Sequence, residues 1–157
     1  MRIKVEPLTV ARFATFGTII EQDGSAPLQR FDMVHEHGGA ARTPGFALTT
    51  IETAVMLPLQ IHQVEKHPHS AQTFLPLVGG TSLVFVCESD PKGDPRLGTG
   101  RAFRATGRQG VCYRRGVWHH RLSPLEAPSQ YGVIMTHAAE DEDTVIYELP
   151  EPVLIVS

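Results

Sequence analysis

The chain has 157 residues, of which 41% are hydrophobic and 20% charged, with 14 Lys and Arg against 17 Asp and Glu. This length predicts one domain over residues 1–157, and the small acidic excess argues against a nucleic-acid partner, which normally shows a clustered basic face. No apolar stretch approaches the ~20 residues that span a bilayer, and the charged N-terminus lacks the apolar segment of a signal peptide, so we expect a cytoplasmic protein without a membrane partner.

Short runs rich in β-branched and aromatic residues lie between closely spaced prolines and glycines, and each run predicts a strand. In chain order the predicted strands are residues 2–8, 46–52, 57–65, 73–77, 81–88, 101–106, 110–114, 131–136, 144–149 and 152–156. Many short strands at close spacing are typical of an all-β sandwich or barrel.

One short helix is predicted after the first strand. Thr9 is placed to cap it, Val10, Phe13 and Phe16 would share one face, and Gly17 would end it. No second stretch has a helical pattern, so the remaining chain is predicted to consist of strands and loops.

Polar loops and two cysteines complete the pattern. The predicted surface loops are residues 23–27, 35–44 and 89–100, and the acidic run 140–143 is predicted to be a solvated loop. Cys87 and Cys112 lie within apolar runs, so we expect buried free thiols in a reducing compartment rather than a disulfide.

The segment 57–69 contains a concentration of residues that can do chemistry. Alternate side chains of a strand point to opposite faces, and the odd-numbered face reads Leu57, Leu59, Ile61, Gln63, Glu65, His67 and His69. This face is predicted to begin apolar and to become polar, as in a barrel that is packed at one end and open to a ligand at the other. His62 and Lys66 fall on the opposite face, and for His62 a surface role and catalysis stay equally open.

A second polar cluster, residues 110–120, turns at Gly116 and delivers His119 and His120. Neutral imidazoles and carboxylate or amide oxygens that converge on one point are metal ligands. The predicted metal ligands are therefore His67 and His119, with His69 and Gln72 as weaker members.

Other polar and aromatic residues near these clusters have plainer interpretations. Three histidines stand in polar loops or at strand ends and are interpreted as structural, namely His35, His37 and His137. Phe74 and Trp118 are predicted to shape the pocket walls. Glu65 and Arg115 are equally compatible with a structural ion pair at the mouth of the barrel.

Both clusters resemble cupin motifs. The pattern His67-x-His69-x-x-Gln72 before Gly79 resembles the first motif, although Gln72 stands in place of an acidic ligand, and Gly110-x5-Gly116-x-x-His119 resembles the second. The resemblance implies an all-β, cupin-like β-barrel, or double-stranded β-helix, with one short N-terminal helix.

A closer resemblance is to the ureidoglycolate lyase family. It is carried by IHQVEKHP at 61–68, QTFLP at 72–76 and YRRGVWHH at 113–120, and it extends to residues 13–20, 30–32 and 101–103. The sequence departs from the family at Arg121, where a proline is usual, and over residues 135–143, where the family tends to have an Asp-Arg pair and a glycine-rich stretch.

This resemblance implies a cytoplasmic homodimer that splits ureidoglycolate into glyoxylate and urea during allantoin degradation. A divalent metal ion, nickel, zinc or manganese, is the implied cofactor, and no organic cofactor is expected. A dimer also agrees with the tendency of barrels to bury exposed edge strands between subunits.

Roles follow for the candidate residues. His67 and His119 would hold a metal or orient the substrate, Glu65 would be the general base or acid, and His120 would join this catalytic group. The substrate carboxylate would be held by Arg115, or by Lys66, with Arg favoured for its bidentate geometry. Two other readings stay open: another metal-dependent cupin enzyme, such as a dioxygenase or isomerase of a small acid, and a non-catalytic cupin that binds a small carboxylate.

Overall fold

The computed structural model describes residues 1–138 and 143–157. Its elements in chain order are β1 (Arg2–Pro7), α1 (Val10–Phe13), β2 (Gly17–Ile20), a 3₁₀ turn (Asp32–His35), β3 (Thr43–Ile51), β4 (Leu59–Lys66), β5 (Gln72–Val78), β6 (Ser82–Ser89), β7 (Pro95–Ala105), β8 (Gly110–Tyr113), β9 (Trp118–His119), β10 (Ser123–Pro124), β11 (Ser129–His137) and β12 (Val145–Val156). Among these residues, the helical segments lack the length and the apolar composition of a membrane span.

The strands form two sheets. Seven strands follow the order β10-β6-β7-β1-β12-β4-β9, and β6 also pairs with β9, so that six of them close into a barrel. The second sheet has the order β2-β8-β5-β11-β3 and ends at the edge strand β3. The predicted all-β barrel with one short N-terminal helix is therefore confirmed.

Strand β6 is buried on both faces and divides two apolar cores. Its odd-numbered residues, including Phe85, pack inside the ring with Trp118 and Val153, in what we call the barrel core. Its even-numbered residues, including Val86, pack against α1 and the second sheet, in what we call the inter-sheet core. A continuous apolar run is what a strand buried on both faces requires, and residues 83–87 supply it.

The predicted odd-numbered face of the 57–69 segment is not continuous: Leu57, Leu59 and Ile61 pack toward the barrel core, whereas Glu65 and His67 face the opposite side. Ile61 and Val64 both lie in the barrel core although they are three positions apart, so the alternation shifts by one residue between them. The pairing of β12 with β4 shifts at the same place, between Glu148 and Val153. An irregularity of this kind changes which face the following residues occupy.

Several predicted boundaries also change. The two predicted strands at 144–149 and 152–156 are one irregular strand, β12, and the predicted loop 89–100 becomes a hairpin because β7 begins at Pro95. Strands β2, β9 and β10 were not predicted: β9 and β10 have only two residues each, and β2 begins at Gly17, the residue predicted to end the helix.

The N-terminal turn is held by backbone rather than by a side-chain cap. Thr9 makes no capping hydrogen bond through its side chain, and its carbonyl accepts the Phe13 N–H at 3.0 Å. Gly17 does not end the helix directly but begins β2. A Cβ there would fall 1.9 Å from the Cys112 carbonyl oxygen, so the close approach of β2 to β8 requires glycine.

The two thiols are free and buried, as expected. Burial is the main cause that raises the pKa of Cys87 to about 12, and it raises the pKa of Cys112 as well. The acidic run was predicted to be solvated, and for Asp143 this is wrong, because its side chain is buried. Residues 140–142 of the run lie outside the described residues.

Candidate active site

The polar end of β4 meets β9 and β5 beside the inter-sheet core. Glu65 pairs with His119 in the β4–β9 ladder, which places the two side chains on the same face of the sheet. Glu65 Oε1 lies 3.5 Å from His119 Nε2, and Gln72 Oε1 lies 3.2 Å from the same nitrogen. One ligand atom each of Glu65, His67 and His119 lies within 4.8 Å of the others. The two polar clusters of the sequence are thus brought together.

His67 and His119 are each oriented by a hydrogen bond at Nδ1 to a backbone carbonyl. His119 Nδ1 lies 3.0 Å from the Val117 carbonyl oxygen, and His67 Nδ1 lies 2.9 Å from the Asp143 carbonyl oxygen. A carbonyl only accepts, so Nδ1 carries the hydrogen in both rings, and in the neutral imidazole Nε2 bears a lone pair. The Nε2 atom of His67 is buried and has no hydrogen-bond partner among the described residues.

When both histidines are neutral, the described residues of the cluster turn acceptors, and no donor, toward one another. With both imidazoles neutral, the Nε2 atoms of His67 and His119 and the oxygens of Glu65 and Gln72 all present lone pairs. Acceptors do not satisfy one another, so the arrangement fits a positive centre, either a proton on His119 or a divalent cation. Two imidazole nitrogens with carboxylate and amide oxygens are a donor set that divalent transition metals accept.

Burial and neighbouring charge tune these groups. When a proton on His119 Nε2 is that positive centre, its hydrogen bond to Glu65 is the largest cause that lowers the pKa of the Glu65 carboxyl, and it outweighs the opposite effect of burial. Burial, reinforced by the charge of His119, lowers the pKa of His67. Glu65 is therefore held as a carboxylate and His67 as a neutral imidazole.

Tyr113 supports the His119 ring from the inter-sheet core. The two rings stack with centroids 4.2 Å apart and 13° between their planes. Burial raises the pKa of Tyr113, which stays a neutral phenol. The stacking fixes the plane of a histidine that is itself 1% exposed, so His119 is held rigidly.

A cavity of about 310 Å³ opens onto this cluster. Its lining residues are Glu65, His67, Gln72, Met135, His137, Ala138, Asp143 and Thr144. Five of these eight come from the end of β11 and the entry to β12, a region that sequence reasoning did not assign to the site. His137, which was interpreted as structural, lies on this wall and is exposed.

The family profile described as ureidoglycolate lyase matches residues 1–156 of the chain. The chain belongs to the ureidoglycolate lyase family. Two proteins named ureidoglycolate lyase illustrate the similarity. That of Pseudomonas putida strain W619 is 34% identical over 99% of this chain and 96% of its own length. That of Pseudomonas paraeruginosa is 38% identical over 84% of this chain and 82% of its own length.

A solved structure resembles part of the molecule at a distance. It is an oxalate decarboxylase from Bacillus subtilis, with a TM-score of 0.43 and 17% sequence identity, and the match covers 69% of this chain and 24% of that chain. The resemblance to the ureidoglycolate lyase family predicted from the signature segments is confirmed by the family profile and by the relatives.

Some residues predicted from these family segments lie away from the cavity. Lys66 and Trp118 both donate to the Gly93 carbonyl, at 2.7 and 3.1 Å, and the Lys66 ammonium lies 4.4 Å from the Trp118 ring centre. Trp118 packs in the barrel core. The structure therefore places both side chains on the face of β4 and β9 opposite to Glu65 and His119.

Arg115 and Phe74 also lie outside the set of described residues that line the cavity. The Nε and Nη2 atoms of Arg115 both donate to the Pro68 carbonyl at 3.2 Å, which binds the turn after β8 to the end of β4. Phe74 packs edge-on against Tyr113, with ring centroids 6.2 Å apart. Arg115 makes no ion pair with Glu65 among the described contacts, and Glu65 instead faces His119.

His69 and His120 point away from the cluster as well. The ring of His69 packs against Gly39, where an added Cβ would lie 2.5 Å from Nδ1. His120 Nδ1 donates to the Gln63 carbonyl at 3.3 Å, and His120 lines a separate cavity of about 250 Å³ together with His62. Because consecutive strand residues diverge, His119 and His120 serve different faces of the sheet.

Proposed function

We propose that this protein is a ureidoglycolate lyase, which cleaves ureidoglycolate into glyoxylate and urea. The proposal is supported by membership of the family over residues 1–156 and by relatives of that name along nearly all of the chain. The observation that carries it is the cluster of Glu65, His67 and His119 at a cavity large enough for a small acid.

The reaction breaks a carbon–nitrogen bond by a pair of proton transfers. One carbon of ureidoglycolate bears a carboxylate, a hydroxyl and a urea nitrogen. A base removes the hydroxyl proton, the carbonyl of glyoxylate forms as the bond to nitrogen breaks, and the departing urea nitrogen takes up a proton. General acid–base catalysis by one positioned group contributes typically about 10²–10⁴-fold.

Glu65 is our candidate for the proton transfers. It lines the cavity, and the pKa lowered by His119 keeps it as the carboxylate that a base requires. After it accepts the hydroxyl proton, the same group is placed to return a proton to the urea nitrogen. His67 and His119, which are buried and fixed through their Nδ1 atoms, orient the reacting groups.

A divalent metal ion, nickel, zinc or manganese, fits the same residues. His67 and His119 would supply nitrogen ligands and Gln72 an oxygen, with Glu65 within reach of the same point. When bound, such an ion supplies a Lewis acid that lowers the pKa of a hydroxyl it coordinates. The buried Nε2 of His67, which has no hydrogen-bond partner within residues 1–138 and 143–157, supports this assignment.

We also propose a homodimer in the cytoplasm. The edge strand β3 exposes Phe46 and Leu48 on one face, with 65% and 62% of their surfaces accessible, and Leu77 of β5 is 52% exposed. The rings and methyl groups of Phe46 and Leu77 flank Gly132 of β11, so these side chains form one apolar surface. Such a surface on a sheet edge is typical of a subunit interface.

The proposed location in the cytoplasm is supported by the two buried free thiols, which suit a reducing compartment.

The direct test is release of glyoxylate from ureidoglycolate, coupled to a glyoxylate reductase. We expect release by the wild-type protein, a decrease after treatment with a chelator, recovery when divalent metal is returned, and loss in H119A. H62A is the matched control, since His62 is exposed and lies outside the residues that line the active cavity. Folded wild-type protein that releases no glyoxylate with any of the three metals would contradict the proposal.

A further inference from the structure

Asp143 lies just before β12 and contacts the segment that follows β4. The residue is 4% exposed, although it is the last member of an acidic run in the sequence. Its two carboxylate oxygens accept hydrogen bonds from the His69 N–H, at 2.5 Å, and from the Ser70 hydroxyl. Both partners follow His67 by two or three residues, so Asp143 is bound to the segment that carries a site residue.

The reason for this contact is the end of the β4–β12 ladder. Val145 pairs with Lys66, and continued antiparallel pairing brings Asp143 opposite Pro68. Pro68 has no N–H, so the backbone ladder cannot continue through it. In place of a backbone hydrogen bond, the Asp143 carboxylate accepts the next N–H of the chain, that of His69.

The backbone of Asp143 acts on His67 itself. Its carbonyl oxygen accepts the His67 Nδ1–H at 2.9 Å, while the Thr144 hydroxyl lies 3.4 Å from the same nitrogen. The two neighbours favour opposite tautomers. The carbonyl requires hydrogen on Nδ1, whereas the hydroxyl can donate to Nδ1 and would then leave hydrogen on Nε2.

We propose that Asp143 is a positioning residue that holds the Nε2 lone pair of His67 toward Glu65 and His119. The Asp143 carboxylate binds residues 69–70, and these hydrogen bonds hold the backbone carbonyl of Asp143 against His67 Nδ1. The inference rests on the proposed function for the role of His67 in the site, whereas the hydrogen bonds that it invokes are independent of the reaction. Partners that orient a ligating histidine typically change metal affinity or activity about 10–100-fold when they are removed.

The tautomer of His67 is the measurement that a merely structural role would not change. We would record long-range ¹H–¹⁵N correlation spectra of the histidine rings in the full-length, metal-free protein at about pH 8, where an ordinary histidine is neutral, and assign His67 with H67Q. We expect the Nδ1–H form in the wild type and a shift toward the Nε2–H form in D143A. D143N should retain the wild-type form, because its side-chain oxygen still accepts from the His69 N–H.

D90N is the matched control. Asp90 also binds backbone N–H groups through its carboxylate, those of Lys92 and Asp94, but in the hairpin between β6 and β7. We expect D90N to leave the His67 signals unchanged. If D143A does not fold, S70A decides the question, since it removes one of the two carboxylate contacts and should shift His67 in the same direction.

Metal affinity gives a second readout that does not depend on turnover. Titration with nickel or zinc ions alone should show affinity about 10–100-fold weaker in D143A than in D143N. Unchanged His67 signals in folded D143A, or in folded S70A when D143A does not fold, would overturn the inference. Absence of glyoxylate release by a wild type with the expected tautomer would instead contradict the proposed function alone.

Discussion

At the scale of single residues, the site depends on how lone pairs are arranged. Two imidazoles are held through Nδ1 by backbone carbonyls, and a carboxylate and an amide face the remaining nitrogens. Backbone acceptors are well suited to this task, because they accept only and so specify which nitrogen carries the hydrogen. This arrangement of lone pairs can accept a positive centre.

Replacing Glu65 by Gln separates proton transfer from ligand binding. The amide keeps the shape and one acceptor oxygen but cannot take a proton, so we expect E65Q to lower kcat about 10²–10⁴-fold and to weaken metal binding less than H119A does. H119A should lose both turnover and metal binding, because it removes a ligand nitrogen. Steady-state kinetics and metal titration check this, and E65Q with wild-type kcat would remove Glu65 from the mechanism.

The thiols provide a residue-scale test of burial. At pH 8 a group with a pKa of about 12 is ionised to roughly one part in 10⁴, and the thiolate is the reactive form. We expect neither Cys87 nor Cys112 to react with a chromogenic disulfide in the folded protein, and both to react in urea. Rapid labelling of one thiol before unfolding would show that the native packing around it opens.

At the scale of elements, β6 supports both cores and β4 changes face along its length. Phe85 is fully buried in the barrel core, and removing an aromatic side chain from such a position typically costs about 3–5 kcal/mol. We expect F85A to lower the free energy of unfolding in urea by that amount. M56A is the control, because Met56 is 81% exposed and should change stability by less than about 0.5 kcal/mol. Equal effects of the two changes would argue against this core.

At the scale of the whole molecule, the apolar surface of β3 predicts assembly. Introducing charge at Phe46 and Leu48 places two carboxylates on this exposed edge, and we expect the double variant F46E/L48E to be monomeric where the wild type is dimeric. Light scattering after size-exclusion chromatography measures the mass. H62E is a control at an exposed position of β4, and an unchanged dimer mass in the double variant would exclude this surface as the interface.

Local covalent geometry accounts for what was predicted from the sequence. The alternation of a strand places Glu65 and His67 on one face over three residues, and the signature segments identify the family without knowledge of the fold. The all-β composition also follows from short β-branched runs between prolines and glycines. These features depend on neighbours in the chain, so one sequence is enough to read them.

Long-range pairing decided the rest. Asp143 contacts His67 across 76 positions of the chain, and Lys66 and Trp118 meet at Gly93, so neither arrangement can be read from spacing. The shift between Ile61 and Val64 depends on an irregular ladder with β12. The longer strands, the family and the pair Glu65 and His67 could be read from the chain. Which side chains share the cavity depends on the fold, because register and strand order set the positions of residues that are distant in the chain.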